Sequence, residues 1–248
     1  MSLAGKHIVI TGASTGIGRA TADVLVEKGA KVTLIARRTE LLEAACGDLG
    51  AAACFAAADV GDRAQLLAAL DSAIAGHGAI DGLFLNAASG GTFTGICDYP
   101  EDSFEQVLTV NLRSPFWAVR HVLPAMIARG HGAILMTGSL ASERGLAGNI
   151  GYVVAKHGLR GLAMALAAEV AGSGVRCNLV VPGFIETPML DDVPEQGRTA
   201  MAGRTPQGRI GTPRELANVA AFLLSDDASH VTAQAWAVDG GLLGTLTL

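Results

Sequence analysis

Charge of one sign is nowhere concentrated in this chain of 248 residues. Eighteen basic and 23 acidic residues are scattered along it, and the net charge is −5. A polyanion is held by clustered cations, so no nucleic-acid partner is expected. Long apolar runs are missing too. No stretch reaches the roughly 18 uninterrupted apolar residues of a membrane helix, so no membrane partner is expected either. Residues 1–7 lack the basic-then-apolar order of a signal peptide. Cysteines are few. Cys46, Cys54, Cys97 and Cys177 show no C-x-x-C spacing and have no histidines at metal-ligand spacing, so no metal site is expected. Free thiols in a reducing compartment follow, and a cytoplasmic location. Half the residues are hydrophobic. That allows a sizeable core, in one large α/β domain or two small ones.

The first motif lies near the start. Residues 7–11 are a short, apolar, β-branched run that reads as a buried strand. Gly12, Ser14, Thr15, Gly16, Ile17 and Gly18 form the turn after it, and residues 19–28 have helical periodicity. Strand, glycine-rich turn and helix is the context that a dinucleotide site needs. Glycines let the backbone approach a pyrophosphate, and the helix start offers it free N–H groups and a positive dipole end. Gly29 fits the end of the helix, and residues 31–36 form the second strand. The end of that strand normally meets the adenosine ribose, where a carboxylate would bond a free 2′-hydroxyl. Here Arg37 and Arg38 follow it. Two guanidinium groups suit a 2′-phosphate, which favours NADP(H) over NAD(H).

Strands and helices then alternate. Residues 51–58 form a third strand, ending at Asp59 and Val60. Asp59 could accept from an adenine amino group or cap a turn. A helix is expected over 62–77 and a fourth strand over 82–85, running into Asn86 and a loop of small residues. Residues 100–129 read as one long helix, with Pro115 and Pro124 at bends or first-turn positions. Asn111 lies inside it. A fifth strand, 132–137, ends beside Ser139. A sixth, 174–181, ends at Pro182 and Gly183. Residues 186–211 hold three prolines and several glycines. They are expected to be irregular and to act as a substrate lid. Thr212, Pro213 and Glu215 open a further helix as N-cap, N1 and N3, and residues 233–238 form the last strand.

The segment 148–171 reads as a helix that carries Tyr152 and Lys156 one turn apart on one face. A phenol with a pKa of about 10 is a poor acid or base at neutral pH. A close ammonium favours the phenolate and is expected to lower that value by roughly one to three units. Ser139 lies 13 residues before Tyr152 (152 − 139 = 13), far enough for the loop between them to fold back.

Strand and helix alternate without a linker. The fold class expected is therefore α/β, one domain over 1–248 built on a Rossmann-type, doubly wound parallel sheet with helices on both faces. Gly12, Asn86, Ser139 and Pro182 all fall at the carboxyl edge of that sheet, where a ligand would bind.

The ordered set Thr11-Gly12-x-x-x-Gly16-Ile17-Gly18, Asn86-Ala87, Asn111, Ser139, Tyr152-x-x-x-Lys156, Pro182-Gly183 and Asp239-Gly240-Gly241 resembles the short-chain dehydrogenase/reductase family, in its single-domain branch of about 250 residues. The resemblance spans the chain. It implies seven parallel strands, a homotetramer or homodimer, and Tyr152 as catalytic acid/base. It implies Ser139 as the hydroxyl that polarises the substrate carbonyl. Lys156 would lower the tyrosine pKa and bind the nicotinamide ribose, and Asn111 would hold a water between Lys156 and solvent. Gly12, Ser14, Ile17, Asp59, Val60 and Asn86 match cofactor-contacting positions. So do Lys156, Pro182, Ile185 and Thr187, toward the nicotinamide end. Arg37 falls where NADP-preferring members carry a basic residue. Two departures stand out. The usual Asn-Asn-Ala-Gly appears as Leu85-Asn86-Ala87-Ala88, and Thr15 stands where many NADP-dependent members carry a basic residue.

The implied activity is hydride transfer between NADP(H) and a small-molecule carbonyl/alcohol pair. An NAD(H)-dependent alcohol dehydrogenase of the same family is the alternative. A protein that senses NADP(H) without chemistry would not need the full Ser–Tyr–Lys set. The candidate substrate pocket draws on Phe93, Leu140, Leu146, Ile150, Phe184, Met189 and Leu190, with Glu143, Arg144 and Glu186 as its few charges. The tail from Leu242 is left with two placements, a subunit contact or a neighbour's pocket.

Overall fold

The computed structural model describes residues 2–245. Seven strands form one parallel sheet: β1 (His7–Thr11), β2 (Lys31–Ala36), β3 (Ala53–Ala57), β4 (Gly82–Leu85), β5 (Gly132–Thr137), β6 (Val175–Pro182) and β7 (Ala235–Val238). Their spatial order is β3-β2-β1-β4-β5-β6-β7. Chain order reverses between β1 and β4, and a crevice opens at such a switch point beyond the carboxyl ends of the strands. The helices are α1 (Gly16–Glu27), α2 (Thr39–Leu49), α3 (Arg63–His77), α4 (Glu101–Leu108), α5 (Ser114–Arg129), α6 (Ile150–Val170), α7 (Glu195–Arg204) and α8 (Pro213–Leu224).

Both faces of the sheet are covered, so the central strands are apolar throughout rather than alternating. Val9, Leu83, Leu85, Ile134 and Met136 point into one core with α3, α5 and α6. Ile8, Ile10, Phe84 and Leu135 point into the other with α1, α2 and α8. Caps fix where two helices begin. Asp62 Oδ1 accepts from the N–H groups of Ala64 and Gln65. Thr212 and Glu215 form a reciprocal capping box with Pro213 at the first position.

Two expectations need correction. Residues 100–129 are not one helix. A π turn at Thr109–Arg113 separates α4 from α5. Ser114 N–H reaches Thr109 O, and the Ser114 hydroxyl takes the Val110 carbonyl at 2.8 Å. Pro124 lies inside α5, whereas Pro115 sits in its first turn, where a missing N–H is tolerated. Nor is the stretch 186–211 irregular. It contains a 3₁₀ turn at Pro188–Leu190 and the helix α7. Proline opens these short elements rather than forbidding them: Pro188 is the first residue of the turn and Pro194 is the N-cap of α7. The excursion is closed at its base by an Ile185–Gly211 bridge.

Candidate active site

The turn after β1 is shaped by what cannot fit there. Gly12 has φ +68°, and a Cβ on it would lie 2.8 Å from Ala87 Cα. A Cβ on Gly18 would lie 2.3 Å from the Gly12 carbonyl oxygen. Any side chain at either position would therefore push β1, α1 and the loop after β4 apart. Asn86 locks this arrangement. Its N–H donates to Thr11 Oγ1 at 3.0 Å, its Nδ2 to the Thr11 and Gly12 carbonyls at 3.3 Å each, and its Oδ1 accepts from Thr137 Oγ1 at 3.1 Å. One amide thus ties together β1, β4 and β5. Leu85, which stands where the usual motif has a first asparagine, is buried in the core instead.

Apart from Gly18 and Asn111, which lie behind its wall, every candidate catalytic and cofactor residue lines a single cavity of about 860 Å³. That volume suits a dinucleotide together with a small substrate. At one end lie the turn residues, with the α1 N-terminus facing the opening. No side chain caps that N-terminus. Arg37 and Arg38 flank it. Arg38 Nη2 donates to Ser14 Oγ and to Thr15 Oγ1, each at 3.0 Å. Arg37 is exposed and makes no hydrogen bond or ion pair among the described residues. Asp59 caps a turn, accepting from the Gly61 N–H at 2.8 Å, and also lines the cavity. A glycine cradle, a free helix N-terminus and two guanidinium groups fit a dinucleotide phosphate chain.

At the other end sit Ser139, Tyr152 and Lys156. Asn149 starts α6, its Oδ1 accepting from the Tyr152 N–H, and this sets the Tyr152 side chain toward the cavity. Burial pushes the Tyr152 phenol above its ordinary value, and the hydrogen bond with the Ser139 hydroxyl pulls the other way. Lys156 is almost wholly buried. Burial brings it down from 10.5 to about 7. Its Nζ lies 5.5 Å from the Tyr152 ring centroid and donates to the Thr137 carbonyl at 2.7 Å. The expectation that Lys156 lowers the phenol value is therefore not met in this geometry. Lys156 Nζ sits over the ring face, and burial is the largest influence on the phenol.

The side chain of Asn111 is not available for the expected water. Its side chain is fully spent on backbone: Oδ1 accepts from the Ser89 N–H, and Nδ2 donates to the carbonyls of Ser89 and Val107. Only its main-chain carbonyl remains to hold a water. Pro115, four residues on, has no N–H to give that carbonyl.

The substrate end is apolar, as expected, though not with all the residues named. Phe93, Leu140, Leu146, Phe184, Met189 and Leu190 line it, and Ile150 does not. Glu143 and Glu186 stay outside, each paired with an arginine: Arg160 at 3.0 Å for Glu143, and Arg198 for Glu186. Leu242 and Leu243 were not foreseen there. They line the cavity of their own chain, a placement other than the two expected. Residues 246–248 lie outside the described residues. The signal was the motif ahead of them. Asp239 Oδ1 accepts from the Gly241 N–H at 2.8 Å, and Oδ2 from the Leu243 N–H at 2.7 Å. The acid turns the chain back over the site.

A doubly wound parallel sheet with a glycine cradle, and a Ser–Tyr–Lys group at its carboxyl edge, defines a dinucleotide-binding oxidoreductase. Comparison with known proteins agrees. A family model described as enoyl-(acyl carrier protein) reductase matches residues 12–243. Cyclohexanol dehydrogenase of Acinetobacter sp. (strain SE19) is 38% identical, over 95% of this chain and 94% of that one. The crystal structure of levodione reductase superposes with a TM-score of 0.93 at 36% identity, covering 98% of this chain and 99% of that one. That of 3-ketoacyl-(acyl-carrier-protein) reductase from Brucella melitensis, complexed with NADH, gives 0.91 at 32% identity, over 97% and 99%. The chain belongs to the short-chain dehydrogenase/reductase family. Among the described residues no three metal-ligating side chains are grouped, and no helix is long and apolar enough to cross a membrane.

Proposed function

We propose that this protein interconverts a ketone and a secondary alcohol with NADP(H), using Tyr152 as the acid/base. The observation that carries this reading is the grouping of Ser139, Tyr152 and Lys156 on the wall of one cavity whose far end is the glycine turn. When bound, the nicotinamide supplies or accepts the hydride. In reduction, Tyr152 Oη gives its proton to the carbonyl oxygen; in oxidation it takes the proton from the alcohol. Ser139 Oγ holds that same oxygen. Lys156, able to gain or lose a proton near neutral pH, replenishes the phenol through a water on the Asn111 main-chain carbonyl. An amine brought down to about 7 by burial suits such a relay.

NADP(H) is preferred on the strength of Arg37, a free guanidinium at the end of β2, and Arg38 beside it. NAD(H) is the second reading. It draws support from the relative that holds NADH and from Arg38 being already engaged by Ser14 and Thr15. The apolar walls, together with relatives named for cyclohexanol and levodione, support an alicyclic or similarly hydrophobic ketone. The segment 186–211 acts as the lid over a single 1–248 domain. Exposed Phe116 and Ile127 on α5 and Val154 on α6 support a homotetramer, and four free thiols support a cytoplasmic setting.

The deciding experiment is calorimetric titration of the purified protein with NADPH and NADH, followed by assay of cyclohexanone reduction. Tighter NADPH binding is expected. Tighter NADH binding sinks the cofactor assignment, and binding of neither sinks the oxidoreductase reading as a whole.

A further inference from the structure

Five charged side chains line the cavity among the described residues: Arg37, Arg38, Asp59, Arg144 and Lys156. The first three lie at the adenosine end, and Lys156 lies beside Tyr152. Arg144 alone stands at the substrate end. It is exposed at the mouth, among the exposed apolar side chains of Phe93, Leu146 and Met189. Three nearby acids are committed elsewhere, and Asp191 and Asp192 of the lid segment do not line the cavity. Glu143 pairs with Arg160 and Glu186 with Arg198, while both Asp239 oxygens accept backbone N–H groups of the tail. The only side-chain contact of Arg144 among the described residues is a long one, Nη2 to the Leu243 carbonyl at 3.5 Å. A planar fork with five donors is thus left with one marginal acceptor, at the rim of an otherwise apolar pocket.

Resting on the ketone-reductase reading above, we infer that Arg144 selects substrates that carry a carboxylate remote from the reacting carbonyl. The apolar body of such a molecule lies against Phe93, Leu146, Met189 and Leu243. Its reacting oxygen meets Ser139 and Tyr152, and its acid group reaches the mouth and displaces the Leu243 carbonyl from the guanidinium. A carboxylate takes the fork in a bidentate, charge-assisted pair, whereas a neutral ester or carbonyl brings no charge and a single strong acceptor oxygen.

Three substrates separate the possibilities: 4-oxocyclohexanecarboxylate, its methyl ester and cyclohexanone. The ratio of kcat/KM for the acid over the ester should favour the acid by about two- to fivefold, the upper part of the range open to an exposed charged contact. In Arg144→Met that ratio should collapse to near unity, and Arg144→Lys should keep part of it. An unchanged ratio in Arg144→Met, or a wild-type preference for the ester, overturns the inference. Binding of cyclohexanecarboxylate, followed by calorimetry, reads the same contact without turnover. Binding that is lost in Arg144→Met supports the inference even if no ketone is reduced, which would then count against the reductase reading alone. Equal binding by both proteins, or none by either, overturns it.

Discussion

Lys156 Nζ lies over the Tyr152 ring, 5.5 Å from its centroid, and gives its short hydrogen bond to the Thr137 carbonyl rather than to the phenol oxygen. Two partners that the spacing Tyr-x-x-x-Lys places side by side are thus held face to ammonium. The Thr137 hydroxyl carries the connection on to Asn86, and Asn86 to the glycine turn. The acid/base end and the cofactor end of the cavity therefore share one hydrogen-bonded chain.

A pH signature follows from that buried amine. Folded Lys156 titrates at about 7, against 10.5 for the free side chain. Between those values the unfolded chain binds the extra proton, so stability rises with pH. One proton corresponds to at most about 1.36 kcal/mol per pH unit, or roughly 3–5 °C in Tm at the sensitivity of a chain this size. Tyr152, raised above 10, works in the opposite sense above that value, which confines the window to about pH 7–9.5. Thermal melts should show the rise in wild type and lose it in Lys156→Met, which should also be the more stable protein at pH 7. Parallel melting curves for the two proteins across that window would falsify the assignment.

Tyr152→Phe removes the proton that the proposed mechanism delivers to the carbonyl oxygen. Turnover should fall by roughly 10²–10⁴-fold, the usual worth of general acid catalysis. Cofactor affinity should hold, because the ring still fills its place. A steady-state assay beside a cofactor titration checks both, and retained turnover would remove Tyr152 from the mechanism.

The two arginines after β2 should behave differently. Arg38 braces Ser14 and Thr15, so Arg38→Ala should loosen the glycine turn and weaken NADPH and NADH alike. Arg37 has no partner among the described residues, so Arg37→Ala should weaken NADPH alone, by about tenfold, the scale of one hydrogen bond to a charged group. Side-by-side titrations decide it. Equal losses for both cofactors in Arg37→Ala would move the phosphate contact elsewhere.

Much of this was legible in the chain because the constraints are local. Period and turn chemistry placed β1, β2, β4 and β5 to the residue, and the Thr212–Glu215 box placed the start of α8. The glycines declared the cradle because no other residue fits at Gly12 or Gly18. What escaped was set by contacts distant in sequence. The break at Thr109–Arg113 depends on a π turn that apolar periodicity does not report. Burial of Lys156 depends on how β5 packs against α6, so the direction of the Tyr152 shift could not be read from spacing. The reach of Leu242 and Leu243 into the cavity depends on one carboxylate, Asp239, turning the chain back.

That carboxylate carries the last prediction. Asp239 holds the Gly241 and Leu243 N–H groups. A Cβ on its neighbour Gly240 would lie 2.5 Å from Thr205 Cγ2, and the Gln207 N–H reaches the Gly240 carbonyl at 3.2 Å. The turn therefore supports both the tail wall of the pocket and the far end of the lid segment. Asp239→Ala strips two accepted hydrogen bonds, each worth about 1–3 kcal/mol when a buried donor is left unmade. Water at this half-exposed turn recovers part of that, so the fold should survive with a lowered Tm. Substrate binding should suffer more than chemistry, because Ser139 stands in the turn after β5, and Tyr152 and Lys156 on α6, outside the tail. The expected result is a KM for ketone raised several-fold with kcat changed little, and NADPH affinity near wild type. Asp239→Asn, which keeps one acceptor oxygen, should recover part of the loss. A fall in kcat with KM unchanged would place Asp239 in the proton path instead and would separate the tail from substrate binding.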